Sequence, residues 1–294
     1  MSVSSTFVDD KTPICVPFIL EHLKAHKGDR PFFIGLNGIQ GAGKTTLVKA
    51  LAAALEAEGV HTLVCSIDDF YLNHDDLVAL GREHPDNALV QHRGEPGTHD
   101  LPLARGFFNA VMEGKPTMVP QYDKSALSGH GDRAPESQWR PVNQPGQPPV
   151  RAVILEGWAV GFRALNPEDV EVRWKTPSRT LANHKLEHLL FINEKLKGYD
   201  ALTDLFDAFI HIDAEDLTFV YAWRAEQEDH LRRDRGDPNA GMSPEEVRKF
   251  VDGYFPGYEL YTDGVRRGIL AGQTGKQLRM VVGRDRKVKE VHRI

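Results

Sequence analysis

The sequence predicts an α/β fold, a parallel sheet with helices on both faces, carrying a loop-rich insertion and a helical lid. Three observations lead there. Short apolar runs rich in strand formers alternate with helical stretches, the order that builds parallel sheets covered on both sides. The first run feeds a glycine-rich loop, Gly38-Ile39-Gln40-Gly41-Ala42-Gly43-Lys44-Thr45, which satisfies G-x-x-x-x-G-K-[ST] without a mismatch. The runs at 60–67, 150–157 and 207–213 each finish at or beside an acid, and in open α/β sheets ligands gather at the carboxyl ends of the strands.

Residues 14–27 are expected to form a lead-in helix, and Phe32, Phe33, Ile34 and Leu36 a short strand. Beyond the loop, "TTLVKALAAALEAEG" holds strong helix formers, with Leu47, Ala50, Leu51, Ala54 and Leu55 at helical spacing and Gly59 as the stop. The loop therefore joins a strand to a helix N-terminus, where backbone N–H groups and the helix dipole favour an anion. This is a P-loop NTPase-type arrangement. Gly38, Gly41, Ala42, Gly43, Lys44, Thr45 and Thr46 are the expected nucleotide cradle, with Lys44 reaching the β- and γ-phosphates and the Thr45 hydroxyl on Mg²⁺. ATP and Mg²⁺ are the expected cofactors. A second Gly-Lys pair, in "AGQTGKQ" (271–277), lacks both the first glycine and the hydroxyl residue, and "GIQGAG" does not match the dinucleotide fingerprint.

The run at 60–67 reads as a second buried strand ending at Asp68 and Asp69. Ten of the eighteen prolines then lie between Pro85 and Pro149, so regular structure is expected to be sparse over 81–149, apart from a helix at about 101–113. Residues 144–149, "QPGQPP", read as linker. A third strand is expected at 150–157, a helix over 181–197, a fourth strand at 207–213 and a long charged helix at 215–236. Ser243-Pro244-Glu245-Glu246 is a helix start with a capping box, and 278–291 offers a closing strand or hairpin.

The chain has 294 residues, 40% hydrophobic and 27% charged, enough for one large α/β domain with a sizeable insertion. The expectation is a single domain over 1–294, with 81–149 as acceptor-side insertion and 215–243 as lid. A net charge of -6 argues against a dedicated nucleic-acid binder. Cys15 and Cys65 form no metal or redox spacing, which fits a reducing compartment. The first twenty residues lack a basic n-region and read as neither a secretory signal nor a transit peptide, and no stretch is long and apolar enough for a membrane span. A cytoplasmic location is the resulting expectation.

Phosphoryl transfer needs carboxylates for a metal, a group to accept the acceptor's proton, and cations over the transferring phosphoryl group. Either Asp68 or Asp69 is placed to orient and deprotonate a substrate hydroxyl; the bland alternative is a capped turn. Glu156, closing "AVILEG", is expected to serve Mg²⁺ directly or through water. Arg224, Arg232, Arg233 and Arg235 read either as a lid over the phosphates or as surface pairs, Glu228 with Arg232 and Asp229 with Arg233. "HKLEH" (184–188) matches a zinc-peptidase pattern and lies where a helix would put both histidines on one face, but no clear third ligand stands nearby.

The order P-loop, D-x-F-Y, H-D, P-x-Y-D and a strand ending in E-G resembles the kinases of the uridine kinase and phosphoribulokinase family. More closely, "SIDDFYL", "RGEPGTHD", "PQYDKSALSGHGDRA" and "LEGWAVGF" are similar to the D-glycerate 3-kinase family of plants and fungi, over about residues 32–261. The resemblance implies a P-loop kinase that phosphorylates the 3-hydroxyl of D-glycerate with ATP, with Asp68 as catalytic base beside Lys44. It implies acceptor contacts from Asp100 and Tyr122, a metal role for Glu156, and lid arginines that map loosely onto Arg224, Arg232 and Arg233. Glycerate carries a carboxylate, which wants a cation, and Arg93, Lys124 and Arg133 stand on the substrate-side loops; these three, with Asp69 and Tyr71 beside the base, are expected to bind the acceptor. Other small acceptors (a nucleoside, a pantothenate-like acid, a sugar) and a regulatory ATP-binding role are the alternatives.

Overall fold

The computed structural model describes residues 9–294. The reading of the N-terminus as non-targeting lies in part outside the described residues. Helix α1 (Thr12–Ala25) starts two residues before its expected position, because Asp9 Oδ1 accepts from Thr12 N–H at 3.0 Å and Pro13 suits the first turn. Strand β1 (Phe32–Gly38), helix α2 (Lys44–Ala57) and strand β2 (Thr62–Ser66) follow in the expected order. Helix α3 (His74–Glu83) is a polar segment whose periodicity does not announce it; Asn73 Oδ1 caps it by accepting from Asp76 N–H at 2.8 Å.

Helix α4 (Leu101–Met112) lies where expected, but the proline-rich stretch around it is more ordered than its composition suggests. Strands β3 (Thr117–Val119), β4 (Tyr122–Asp123), β5 (Asp132–Arg133) and β6 (Arg140–Val142) fold into two antiparallel ribbons, β3 on β6 and β4 on β5. Two-stranded ribbons are all edge, so they tolerate prolines that a central strand would reject.

Strand β7 (Ala152–Gly157), helix α5 (Pro167–Lys175), helix α6 (Leu186–Leu196), the short α7 (Asp200–Thr203), strand β8 (Ala208–Ala214), helix α8 (Phe219–Arg235), helix α9 (Pro244–Asp252), helix α10 (Phe255–Arg267) and the hairpin of β9 (Gln277–Val282) and β10 (Val288–Arg293) complete the chain. The expected continuous helix over 181–197 is instead a 3₁₀ turn, Leu181–Asn183, and then α6; His184 and Lys185 between them are extended. The capping box of α9 forms as expected, Ser243 with Glu246.

The central sheet has the order β10-β9-β8-β1-β7-β2. It departs from a fully parallel sheet at one edge. β1 runs parallel to β7 and β8, β2 to β7 and β9 to β8, while β10 is antiparallel to β9. The reason is connection length: a short turn can join strands only antiparallel, whereas each parallel pair needs a crossover. Every residue of β1 and β8 is buried, as strands covered on both faces must be. No helix among the described residues is long and apolar enough to cross a membrane.

Helix α1 and the two residues before it are clasped to the β9–β10 hairpin. Lys11 Nζ donates to Arg286 O at 2.6 Å, Val288 N–H donates to Asp10 Oδ2 at 2.7 Å, and Arg293 pairs with Glu21 at 2.8 Å. The clasp matters because the turn between β9 and β10 carries Arg286 to the glycine-rich loop.

Candidate active site

The loop between β1 and α2 is shaped by two glycines in the left-handed region, Gly41 at φ 79° and Gly43 at φ 95°. Gly41 also cannot carry a side chain, since a Cβ there would lie 2.5 Å from Trp223 Cβ of α8. Lys44 folds back over the loop, Nζ donating to Gly38 O at 2.8 Å and to Ile39 O at 3.3 Å. Burial lowers the Lys44 pKa, against the opposing charges of Glu156 and Asp68. Thr45 and Thr46 stand exposed in the first turn of α2, and Ala42 is buried behind the loop. Arg286 clamps the loop from outside: its Nε donates to Gly41 O at 2.7 Å while its guanidinium lies 5.1 Å over the Trp223 ring.

Beyond β2 the chain turns through a 3₁₀ segment, Ile67–Phe70, that separates the two aspartates. Asp69 folds back on its own backbone, Oδ2 accepting from Ser66 N–H at 3.0 Å in a capping box. Asp68 does not cap. Its Oδ2 lies 2.5 Å from Lys124 Nζ, and its Oδ1 is buried with no partner. Burial alone would push the Asp68 carboxyl up; a set of opposing interactions led by the Lys124 charge outweighs it and holds the group below the usual carboxylate range. Asp69 goes the other way, raised to about 6 by burial and then by the neighbouring Asp68 charge.

Glu156, next to last in β7, is in register with Leu36 of β1 on one side and Ser66 of β2 on the other, so the topology puts it between the loop and the Asp68 turn. Its Oε2 is buried without a partner.

The ribbon β4–β5 forms the opposite wall. Tyr122 and Arg133 are cross-strand neighbours. Arg133 Nη2 donates to Tyr71 O at 2.8 Å and to Asp100 Oδ2 at 3.0 Å; Asp100 also caps α4, Oδ1 accepting from Leu103 N–H at 2.9 Å. Tyr122 meets Tyr71 edge-on at 5.3 Å, and Arg93 lies 5.6 Å over the Tyr122 ring. The Arg93 guanidinium is taken up by backbone carbonyls, those of Gly129 at 3.0 Å, His130 and Lys124. Buried polar atoms in folded proteins are normally paired. Here Asp68 Oδ1, His99 Nε2, Tyr122 OH, Arg133 Nε and Glu156 Oε2 are all buried and unpartnered, and they belong to residues gathered around one turn and one ribbon.

No family model matches the chain. Individual proteins do. The uncharacterized kinase mug58 of Schizosaccharomyces pombe is 39% identical over 235 residues, 79% of this chain and 81% of that protein. The chloroplastic D-glycerate 3-kinase of Arabidopsis thaliana is 38% identical over 248 residues, 82% of this chain but only 50% of the plant protein. The structure of D-glycerate 3-kinase from Cryptococcus neoformans superposes with a TM-score of 0.86 at 31% identity, over 98% of this chain and 100% of that one. The chain belongs to the D-glycerate 3-kinase family of P-loop kinases.

In this kinase the expected lid arginines are held elsewhere. Arg224 pairs with Glu228 and lies 5.1 Å over the Phe250 ring, and Arg232 pairs with Asp229 at 2.9 Å and donates to Met242 O. Among the described residues no hydrogen bond or ion pair joins either arginine to the phosphate loop. The expected surface pairs, Glu228 with Arg232 and Asp229 with Arg233, do not form. Glu228 is only 3% exposed because it faces the turn after α8, accepting from Met242 N–H at 2.8 Å, and so takes its arginine from the preceding helical turn. Arg233 contacts His230 at 2.9 Å instead.

The two histidines of "HKLEH" do not share a helix face, since His184 precedes α6. His188 Nε2 does approach Asp86 at 3.5 Å and Glu187 at 3.9 Å, but both acids already pair with Lys185 Nζ, at 2.6 and 3.4 Å.

Arg286 and Tyr258, whose hydroxyl accepts from Gln40 N–H at 3.2 Å, are loop-holding residues that sequence reasoning missed. Neither sits in a local pattern; each reaches the loop from an element more than two hundred residues away.

Lys124 is the leading influence holding the Asp68 carboxyl down, which yields a prediction. Removing it in Lys124→Met leaves burial opposed only by weaker neighbours, so the Asp68 carboxyl rises. A base must be ionised, so activity is lost as pH falls through its pKa. The acidic limb of kcat/KM, which reports the free enzyme, is therefore expected to move to higher pH in the variant. A pH–rate profile of both proteins checks this; an unmoved limb would detach Lys124 from the base.

Proposed function

We propose that the chain transfers the γ-phosphoryl group of ATP to the 3-hydroxyl of D-glycerate, giving ADP and 3-phosphoglycerate. The observation that carries this reading is the pairing of the uncapped Asp68 with Lys124 of the ribbon wall, at the carboxyl ends of the strands that present the P-loop. The names of the plant and fungal relatives support the same acceptor.

In this reading the 3-hydroxyl oxygen attacks the γ-phosphorus, its proton passes to Asp68 Oδ1, and the bond to the β-phosphate oxygen breaks with ADP as leaving group. The backbone of Gly38, Gly41, Ala42 and Gly43 with Lys44, Thr45 and Thr46 holds the phosphates. The Thr45 hydroxyl and Glu156 carboxylate fit Mg²⁺: both are hard oxygen donors, and Glu156 Oε2 is a buried oxygen lacking a partner. Bound there, Mg²⁺ neutralises charge on the phosphates. Asp100 and Tyr122 line the acceptor side with Tyr71, while Asp69 acts on the backbone of the turn. The whole chain, 1–294, acts as one kinase domain in which 81–149 receives the acceptor and 215–243 closes as a lid. Closure would release Arg224 and Arg232 from Glu228 and Asp229 onto the phosphates. A cytoplasmic location is part of the proposal, supported by two buried free cysteines.

Arg133 is the first choice for the acceptor carboxylate, because its Nε is buried and unpartnered whereas Arg93 is spent on carbonyls and Lys124 on Asp68. A lost charge-assisted hydrogen bond costs ~1.5–3 kcal/mol. Arg133→Ala is expected to raise the glycerate KM roughly tenfold to a hundredfold, with the ATP KM nearly unchanged. The test of the function itself is acceptor-dependent ADP release across D-glycerate, glycerol, uridine and pantothenate. If glycerol serves as well as glycerate, no group on the protein reads the carboxylate and the glycerate reading fails.

A further inference from the structure

His99 lies between the turn that bears the base and the segment that leads into α4. Leu72 N–H donates to Thr98 O at 2.9 Å and Asp100 N–H to Phe70 O at 2.7 Å, so the two segments pair on either side of it. The Tyr71 ring stacks on the imidazole at 4.3 Å. On its far side, His99 Nδ1 is 2.7 Å from the Tyr199 hydroxyl, and that hydroxyl oxygen accepts from Gly97 N–H at 3.1 Å. Tyr199 is 4% exposed, and among the described residues no other acceptor is hydrogen-bonded to its hydroxyl. Its one hydrogen must therefore go to Nδ1. With Nδ1 an acceptor, a neutral imidazole carries its proton on Nε2. That Nε2–H is buried and has no partner, on a side chain 5% exposed overall.

We propose that His99 binds the acceptor alcohol by donating its Nε2–H to an acceptor oxygen, with Tyr199 fixing the tautomer that makes the donation. This rests on the kinase reading above and adds a substrate-binding residue to it. The relay Gly97 N–H, Tyr199 O–H, His99 Nδ1 leaves the imidazole one way to be satisfied, an oxygen from outside the protein, and the stacked Tyr71 ring, the adjoining Asp100 and the nearby Asp68 charge put that donor on the acceptor side. The charge on the ring is consistent with this. Burial pushes the imidazole down to about 4, against the pull of the Asp68 charge, so at neutral pH it is an uncharged donor. A neutral donor orients the acceptor without adding a second cation beside Asp68, which would weaken it as a base.

Three variants and one spectrum test this. His99→Asn keeps an acceptor for the Tyr199 hydroxyl but loses the outer donor; kcat/KM for D-glycerate is expected to fall about tenfold or more, with the ATP KM unchanged. His99→Gln places an amide N–H near the Nε2 position and is expected to recover part of that loss. Tyr199→Phe removes the lock, so both tautomers populate. In ¹⁵N-labelled parent protein the His99 ring should show the Nε2–H pattern, and adding the acceptor without ATP should shift Nε2. An Nδ1–H ring, a ring indifferent to the acceptor, or Asn and Gln variants equally impaired would overturn the proposal and leave His99 a packing residue. Turnover of glycerate by the parent is measured first. If another alcohol proves to be the acceptor, the glycerate reading fails, and the same variants and spectrum run with that alcohol decide the His99 proposal on their own.

Discussion

Lys44→Met is expected to lower kcat by about a hundredfold to a thousandfold, the scale on which a preorganised charge or donor aimed at the transition state acts. The ammonium is the point charge of the loop, and it is the group that the glycine backbone cannot replace. In the structure Nζ donates to Gly38 O and Ile39 O, so the side chain does hold the loop closed. Methionine keeps the stem and removes the charge together with its two hydrogen bonds to the loop carbonyls, a local loss that leaves the fold intact; thermal unfolding of the variant should lie within a few degrees of the parent. Single-turnover ADP release measured beside the unfolding curve separates the two effects. Parental turnover by a folded Lys44→Met protein would end the P-loop reading of this chain.

Asp68→Asn is expected to cost ~10²–10⁴ in kcat, the usual loss when a general base can no longer take a proton. Asp69→Asn should cost far less, since asparagine Oδ1 can still accept from Ser66 N–H and keep the turn capped. The same pair separates in stability. Asp69 titrates near 6 when folded, above its ordinary value of 3.8, so the folded state binds the extra proton. Stability contributed by the protonated form is present below the ordinary value and is lost as pH rises through about 6. Asp69→Asn should flatten that decline between pH 4 and 6, visible as a smaller change in Tm across the window. A reversed order of the two kinetic losses would move the base to Asp69 and contradict the geometry of the capping box.

The kinetic contrast between two adjacent aspartates also shows where reading the sequence stops. "SIDDFY" offers two carboxylates at a strand end, and spacing alone cannot rank them. The family resemblance picks Asp68. A physical difference between the two appears only with the 3₁₀ turn, which bends Asp69 onto Ser66 and leaves Asp68 uncapped. Helix α8 shows the converse. A charged helix at 215–236 is legible from composition, but which acid holds which arginine depends on the turn at 241–242 reaching back to Glu228, and no i,i+4 rule contains that contact.

By itself the sequence determined the phosphate loop, its strand and helix, the alternation that makes the sheet mostly parallel, and the acids at the strand ends. These are local facts, written in spacing, in glycine's access to positive φ and in runs of strand-forming residues. Only the tertiary structure decided that the proline-rich stretch folds into two ribbons, that Lys124 on one of them holds Asp68, that Arg286 and Tyr258 support the loop, and that the Tyr199 hydroxyl meets His99 Nδ1. Each of these depends on a side chain meeting a group from another element, and such a meeting is fixed by how whole elements pack, which no window of neighbouring residues encodes.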